Sequence, residues 1–486
     1  MRHPFIPVLT LLVSVAVLSF FPRASVSQGC DALNIELRSE IASTCAEMTM
    51  TMKQDESGDP YLYVANKEAG LKIYNISDLS SPVLVQTMPI SYFQGLQVMN
   101  IHQAGNYLYL ATGNHFSNSQ NAGMAIIDVS DPAHAMPLGT YAYPSTTGGA
   151  GIVAVQGNYA YLGAMLHGMV ILDISDKHSI KYVSEILPDR NFPVANPDTL
   201  KYNARGMQIV GDLVYLCYDA GGLRIIDVKD KAHPVEIGRY SNPAVNNRPR
   251  AYNNIVVDGK FAYIAVDYCG MEVLDISDPS NIKLHAWWNP WNCDEPAKNN
   301  WFNSNGHANE IAYNKECHKI FLSTGKGDLN IVDVTDPAHP DSCSNFGGTE
   351  NNLGTWGVDV HNDRIYLSYV CAIIPFTSNW TGFKVLTYTP CLAGVDNDAT
   401  TNTLKPAYPN PSSFEVNIDL DERFDVGIPC IVSVWSSLGI EQSLPYFMKT
   451  DRIVCTSVKS LPAGSYRIVI RQGDHYLSKN IICLSQ

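Results

Sequence analysis

The sequence predicts an all-β chain: a seven-bladed β-propeller followed by a small β-sandwich domain. Three observations carry this. One β-rich phrase recurs seven times, turn residues punctuate the copies at matching places, and the composition changes after the last copy.

The phrase reads YLYVANKEAGLKIYNISD (61–78), GMAIIDVSDP (123–132), YAYLGAMLHGMVILDISD (159–176), LVYLCYDAGGLRIIDVKD (213–230), FAYIAVDYCGMEVLDISDP (261–279) and IFLSTGKGDLNIVDVTDP (320–337). A seventh copy is interrupted, RIYLSYVC and then GFKVLTY (382–388). Aligning the central polar residue gives Asn75, Asp128, Asp173, Asp227, Asp275, Asp333 and Thr387, with steps of 53, 45, 54, 48, 58 and 54. Those steps exceed leucine-rich and ankyrin units and fit a four-stranded blade with variable loops.

Within a copy, YAYLGA and LRIIDV are short, β-branched and aromatic-rich, without helical spacing. Another alternating run precedes them: IVAVQG (152–157), MQIVGD (207–212), NIVVDG (254–259) and VDVHND (358–363). Gly157-Asn158, Gly211-Asp212, Asp258-Gly259 and Asn362-Asp363 join the two runs as tight hairpins, because these residues tolerate positive φ. Asp131-Pro132, Asp278-Pro279 and Asp336-Pro337 then turn the chain into a fourth strand. Each copy is therefore two hairpins, strands A to D. The recurrent aspartates repeat with the blades, so their predicted task is to brace turns.

GLRIIDVKDKAHPVEIGRY and GMAIIDVSDPAHAMPLGTY resemble LVIVD repeats, with YVTN-type propeller repeats a more distant likeness. The resemblance implies a propeller over residues 46–391 and assigns no catalytic residues. The seventh copy lacks an obvious strand D. LNIELRSEI (33–41), in the N-terminal segment 28–45, alternates and is expected to supply it.

Residues 1–27 read as a signal peptide: Arg2 and His3, an apolar run from Val8 to Phe20, then Ser25-Val26-Ser27. That run is shorter than the roughly 20 residues of a membrane-spanning helix, and no transmembrane segment is expected. All 12 cysteines follow the cut, which fits disulfides in an exported protein. Cys217, inside a strand, is a candidate buried thiol. The net charge of −14, with no basic block, excludes nucleic acid as a partner.

Residues 392–406 read as a linker. Residues 407–486 resemble the C-terminal (type A) sorting domain of the type IX secretion system of Bacteroidetes-type bacteria. The matching pieces are Tyr408-Pro409-Asn410-Pro411, VSVWSSLG, and Leu461-Pro462-Ala463-Gly464 before YRIVI. The resemblance implies transport to the medium or the outer cell surface and a tail that engages the type IX machinery. The tail departs from the pattern in ending ICLSQ and in carrying Cys430, Cys455 and Cys483. A carbohydrate-binding or immunoglobulin-like accessory module is the competing reading.

Function is less legible. In a propeller the B–C and D–A connections share one face, and here they are the long ones: 142–150, 187–204, 241–250 and 288–306 between blades, 113–122 and 371–381 within them. Loop 285–310 holds Trp287, Trp288, Trp291 and Trp301, which suit stacking on a glycan or anchoring an extracellular protein. The blander reading is that they fill space between blades. Arg205, Arg250, Asn253, His307, Asn309, Glu310 and Asp359 stand at the starts of A strands, where they are expected to face the channel mouth. The chain lacks GxSxG, HExxH, EF-hand and P-loop motifs, so no catalytic residue, metal or cofactor is assigned. The expected function is non-enzymatic binding of a glycan or protein at the loop-rich face. The alternatives are an extracellular hydrolase or lyase with a channel-mouth acid/base site, and a structural or adhesive surface protein.

Overall fold

The computed structural model describes residues 33–389 except 115, 118, 147, 296–304 and 372–377, and residues 415–483 except 421–423, 425–428, 437–440, 451, 463 and 473–474. The signal peptide, the linker, Tyr408–Pro411 and Trp301 lie outside the described residues. The described chain is all-β. No helix among the described residues is long and apolar enough to cross a membrane.

Residues 35–388 form seven four-stranded antiparallel sheets. The first, for example, runs Met52–Gln54, Tyr61–Ala65, Leu71–Asn75 and Val83–Met88. Strand A of each sheet touches strand A of the next, and strand A of the seventh touches that of the first. The sheets are thus blades around one axis, and ring closure hides inner edges that separate sheets would expose.

The last blade takes its outer strand from the front of the chain. Ile35–Ala42 pairs with Gly382–Tyr388, from Ile35 opposite Tyr388 to Ala42 opposite Gly382. Alternation in 33–41 made this strand visible, and the hydrogen bonds extend it by one residue beyond Ile41. The Cys45–Cys371 disulfide ties the same segment to the seventh blade.

The core lies between neighbouring blades. Tyr109 and Ile126 of the second pack with Leu162 and Leu172 of the third, each such aliphatic side chain contributing about 1.5–3 kcal/mol when fully buried. The outer strands are linked by a repeated polar device. Gln86 exchanges two bonds of 2.8 Å with the backbone of Ala135, and the Ser184 hydroxyl donates to the Lys231 carbonyl at 2.5 Å.

Tight A–B turns hold Gly157, Gly211, Gly259 and Asn362 at φ of 60°, 59°, 57° and 54°. At the end of strand C, Asp128, Asp173, Asp227, Asp275 and Asp333 each accept from the backbone N–H two residues on, at 2.8–3.0 Å. Cys217 is a buried free thiol, while Cys269 pairs with Cys293, and Cys317 and Cys343 are also disulfide-bonded. Beyond residue 414, two small antiparallel sheets share a core that includes Val416, Val432, Val454 and Ile468.

Candidate functional site

The B–C turns and the D–A connections meet at one end of the ring. Val98, Ala204, Tyr252 and Thr355, each just entering strand A, donate to carbonyls of Lys67, Met165, Asp219 and Gly325 in the preceding blade's B–C turn at 3.1 Å. The other end carries the A–B turns, and the chain leaves there. Tyr388 donates to the Asp363 carbonyl at 3.0 Å, and Thr389 to that of Asn34 at 3.1 Å.

The seven A strands enclose an axial cavity of about 400 Å³. Strand register sorts its lining into two levels. Lys53, His102, Ala154, Gln208 and Asp359 lie opposite the third residue of strand B, an aromatic in each of these blades. Nearer the loop-rich mouth are Asn100, Ile152 and Asn254, with Thr51 and Glu310 held at the same height through their backbones. Gly206 stands at this height too, because an added Cβ would lie 2.4 Å from the Asn253 carbonyl oxygen.

The lining is polar around most of the ring, Gln208, Asn254 and Glu310 included, with one aliphatic patch. Asp359, Lys53 and His102 come from three consecutive blades, whereas Ile152, Val153, Val155, Met207 and Ile209 face them from the third and fourth. The Lys53 ammonium is neutralised by Asp359 at 3.3 Å and Glu56 at 3.1 Å, and Asp359 holds its pKa above the ordinary lysine range. Burial pushes His102 down to about 4, so its imidazole is neutral. Burial also raises Glu310 to about 7, and Asn254 donates to one of its oxygens.

Above the cavity, Arg205 donates to Asn309 at 3.2 Å and lies over the Trp356 ring at 5.7 Å. Asp267 and His307 form a buried pair at 2.5 Å. Burial lifts Asp219 to about 6 and raises Asp267 as well, while Arg205 opposes both shifts. Asp219 and Asp267 were not among the sequence candidates, because they sit in B–C turns and read as turn residues. The available signal was departure from the repeat: the corresponding turns carry Asn66-Lys67, Ala164-Met165 and Thr324-Gly325.

The structure brings only some of the sequence candidates together. Glu310 and Asp359 line the cavity, and Arg205 and His307 sit at the mouth. Asn253 is buried and donates to the Ala308 carbonyl at 2.8 Å. Arg250 stands apart from the channel, donating to carbonyls of Val245, Asn246 and Ala220 at 3.1, 2.6 and 2.8 Å. Trp287 donates to the Cys269 carbonyl at 2.7 Å, and buried Trp288 donates to Ser342 in the next blade at 2.9 Å. Trp291 meets Trp288 edge to face, with ring centroids 5.5 Å apart. Among the described residues, no group of three or more histidine, cysteine or acidic side chains is placed to hold a metal ion.

The LVIVD repeat family matches six segments: residues 57–88, 97–142, 147–186, 203–242, 249–288 and 321–346. No curated protein matches the chain. Among solved structures, it is similar to the Cps50 (Swd1) β-propeller domain of Myceliophteria thermophila, at 11% identity and TM-score 0.49 over 73% of this chain and 99% of that one. It is also similar to the computationally designed Ika8 protein, at 7% identity and TM-score 0.44 over 73% of this chain and 100% of that one. The protein is a β-propeller repeat protein, and LVIVD repeats are matched in its first six blades.

Proposed function

We propose that the protein is a secreted or cell-surface, non-catalytic propeller that captures a glycan or an extracellular protein at its loop-rich face. The observation that carries this is the polarity of the ring. Long connections gather at one end, and the chain departs toward its tail at the other, beside Asn34 and Asp363. A tail held by the export machinery or the cell envelope leaves the loops facing outward. Disulfides that tie Cys45 to Cys371 and Cys269 to Cys293 suit an oxidising compartment. In this reading residues 407–486 are the sorting domain that engages type IX secretion.

The purified chain is to be tested on a glycan array and in pull-downs from extracellular extracts. The expected result is a saturable ligand that Trp291→Ala or Trp301→Ala weakens at least tenfold without lowering Tm. Loss of stability with binding intact would return these rings to a packing role. Removing residues 407–486 is expected to retain the protein inside the cell. Normal export of the shortened chain would refute the sorting assignment.

A further inference from the structure

We infer that the axial channel is itself a binding site, for an uncharged polyhydroxylated molecule of one or two sugar units. It would be gripped between Asn100 and His102 on one flank and the Ile152–Val155 and Met207–Ile209 walls on the other. This rests on the binding-module reading and names a ligand class for its mouth and interior.

Size comes first. A volume of about 400 Å³ falls within the range of small-molecule sites, about 300–1,000 Å³. Charge comes second. Lys53 is held by Asp359 and Glu56, and Glu310, which takes a hydrogen bond from the neutral Asn254, is kept from ionising by burial, which lifts it to about 7. An anionic guest would enter without a free counter-ion, a cationic one would meet only a carboxyl that burial disfavours as an anion, and either would lose its hydration.

Hydrogen bonding comes third. Asn100 is 6% exposed and lines the cavity, yet its amide has no protein partner among the described residues. The His102 imidazole likewise has no hydrogen-bond partner among them, and its nearest ring contact is Tyr109 at 6.4 Å. A wholly apolar guest would strand these groups. On the facing patch the one polar side chain, Gln208, is taken up by the Val257 backbone, donating to its carbonyl at 3.3 Å and accepting from its N–H at 2.7 Å, so the rest of that side is aliphatic. A pyranose meets both demands, with hydroxyls along its rim and C–H bonds across its face.

Saturation-transfer NMR on the full chain tests this with glucose, galactose, mannose and N-acetylglucosamine, against glucuronate and glucosamine as charged counterparts. At about 10 mM sugar, a site with Kd near 1 mM is mostly filled. The expected result is transfer to at least one neutral sugar, at least tenfold weaker binding of its charged counterpart, and at least tenfold loss in Asn100→Leu and His102→Leu at unchanged Tm. No transfer to any neutral sugar, or equal binding of the charged forms, overturns the inference and leaves a channel filled by water alone. The wild-type panel decides this even where a variant misfolds. Array or pull-down binding that persists without monosaccharide transfer would sink the channel site while the face reading stands. Channel binding with a blank array and blank pull-downs would sink the face reading instead.

Discussion

Cys45 and Cys371 are 326 residues apart in the chain and joined by a disulfide, so one covalent link spans almost the whole ring. It lies three residues beyond the strand that completes the seventh blade. Cys45→Ser is expected to lower stability by about 2–4 kcal/mol, because the bridge restricts the unfolded chain more than the folded one. Urea unfolding of the variant beside the wild type measures this. An unchanged midpoint would show that the strand pairing closes the ring unaided.

Trp288→Ala is expected to cost about 3–5 kcal/mol, as removal of a buried aromatic ring does. It also removes the indole donor to Ser342, which links two blades. Trp287→Phe keeps most of the packing and loses one hydrogen bond to the Cys269 carbonyl, for about 1 kcal/mol. Thermal melts of the two variants should separate in that order.

Glu272 is fully buried and accepts from Asn242 at 2.9 Å and Tyr252 at 2.8 Å, and burial raises its pKa to about 7. Between the ordinary carboxylate value and about 7, the folded state therefore holds a proton that the unfolded state has released. Stability contributed by this group falls as pH rises through that window. Glu272→Gln removes the titration, so the variant gains on the wild type between pH 5 and 8, by about 3 kcal/mol at most. Denaturation midpoints at several pH values test the sign. A constant difference would contradict it.

Gly206→Ala places a methyl against the Asn253 carbonyl and the Asn254 backbone. A cost of about 1–3 kcal/mol is expected from overpacking two neighbouring A strands. Because Asn254 donates to Glu310 across the cavity rim, the same change should also weaken any ligand held there. Melting and ligand titration on one sample report the two effects.

The blades were legible because each copy states its strands and turns locally: alternation in IVAVQG, positive-φ residues at Gly157 and Asn362, and a carboxylate ending strand C. The closing strand was legible for the same reason. The mouth was not. Asp267 of the fifth blade lies near Arg205 and Asp219 of the fourth only because the ring brings separate blades to a common axis, and no local pattern encodes that distance. Trp287 and Trp288 left two readings open for a related reason: aromatic content marks a surface platform and an inter-blade plug alike. The sequence does not show where each indole N–H goes, Trp287 to a carbonyl of its own blade and Trp288 to a hydroxyl of the next.

Borrowing residues 35–42 for the last sheet has a consequence for biogenesis. Within the propeller this strand is synthesised before all the others and its partner after them, so it must wait, unpaired, until nearly the entire propeller has been made. Removing residues 35–42 should then leave the seventh blade unlatched.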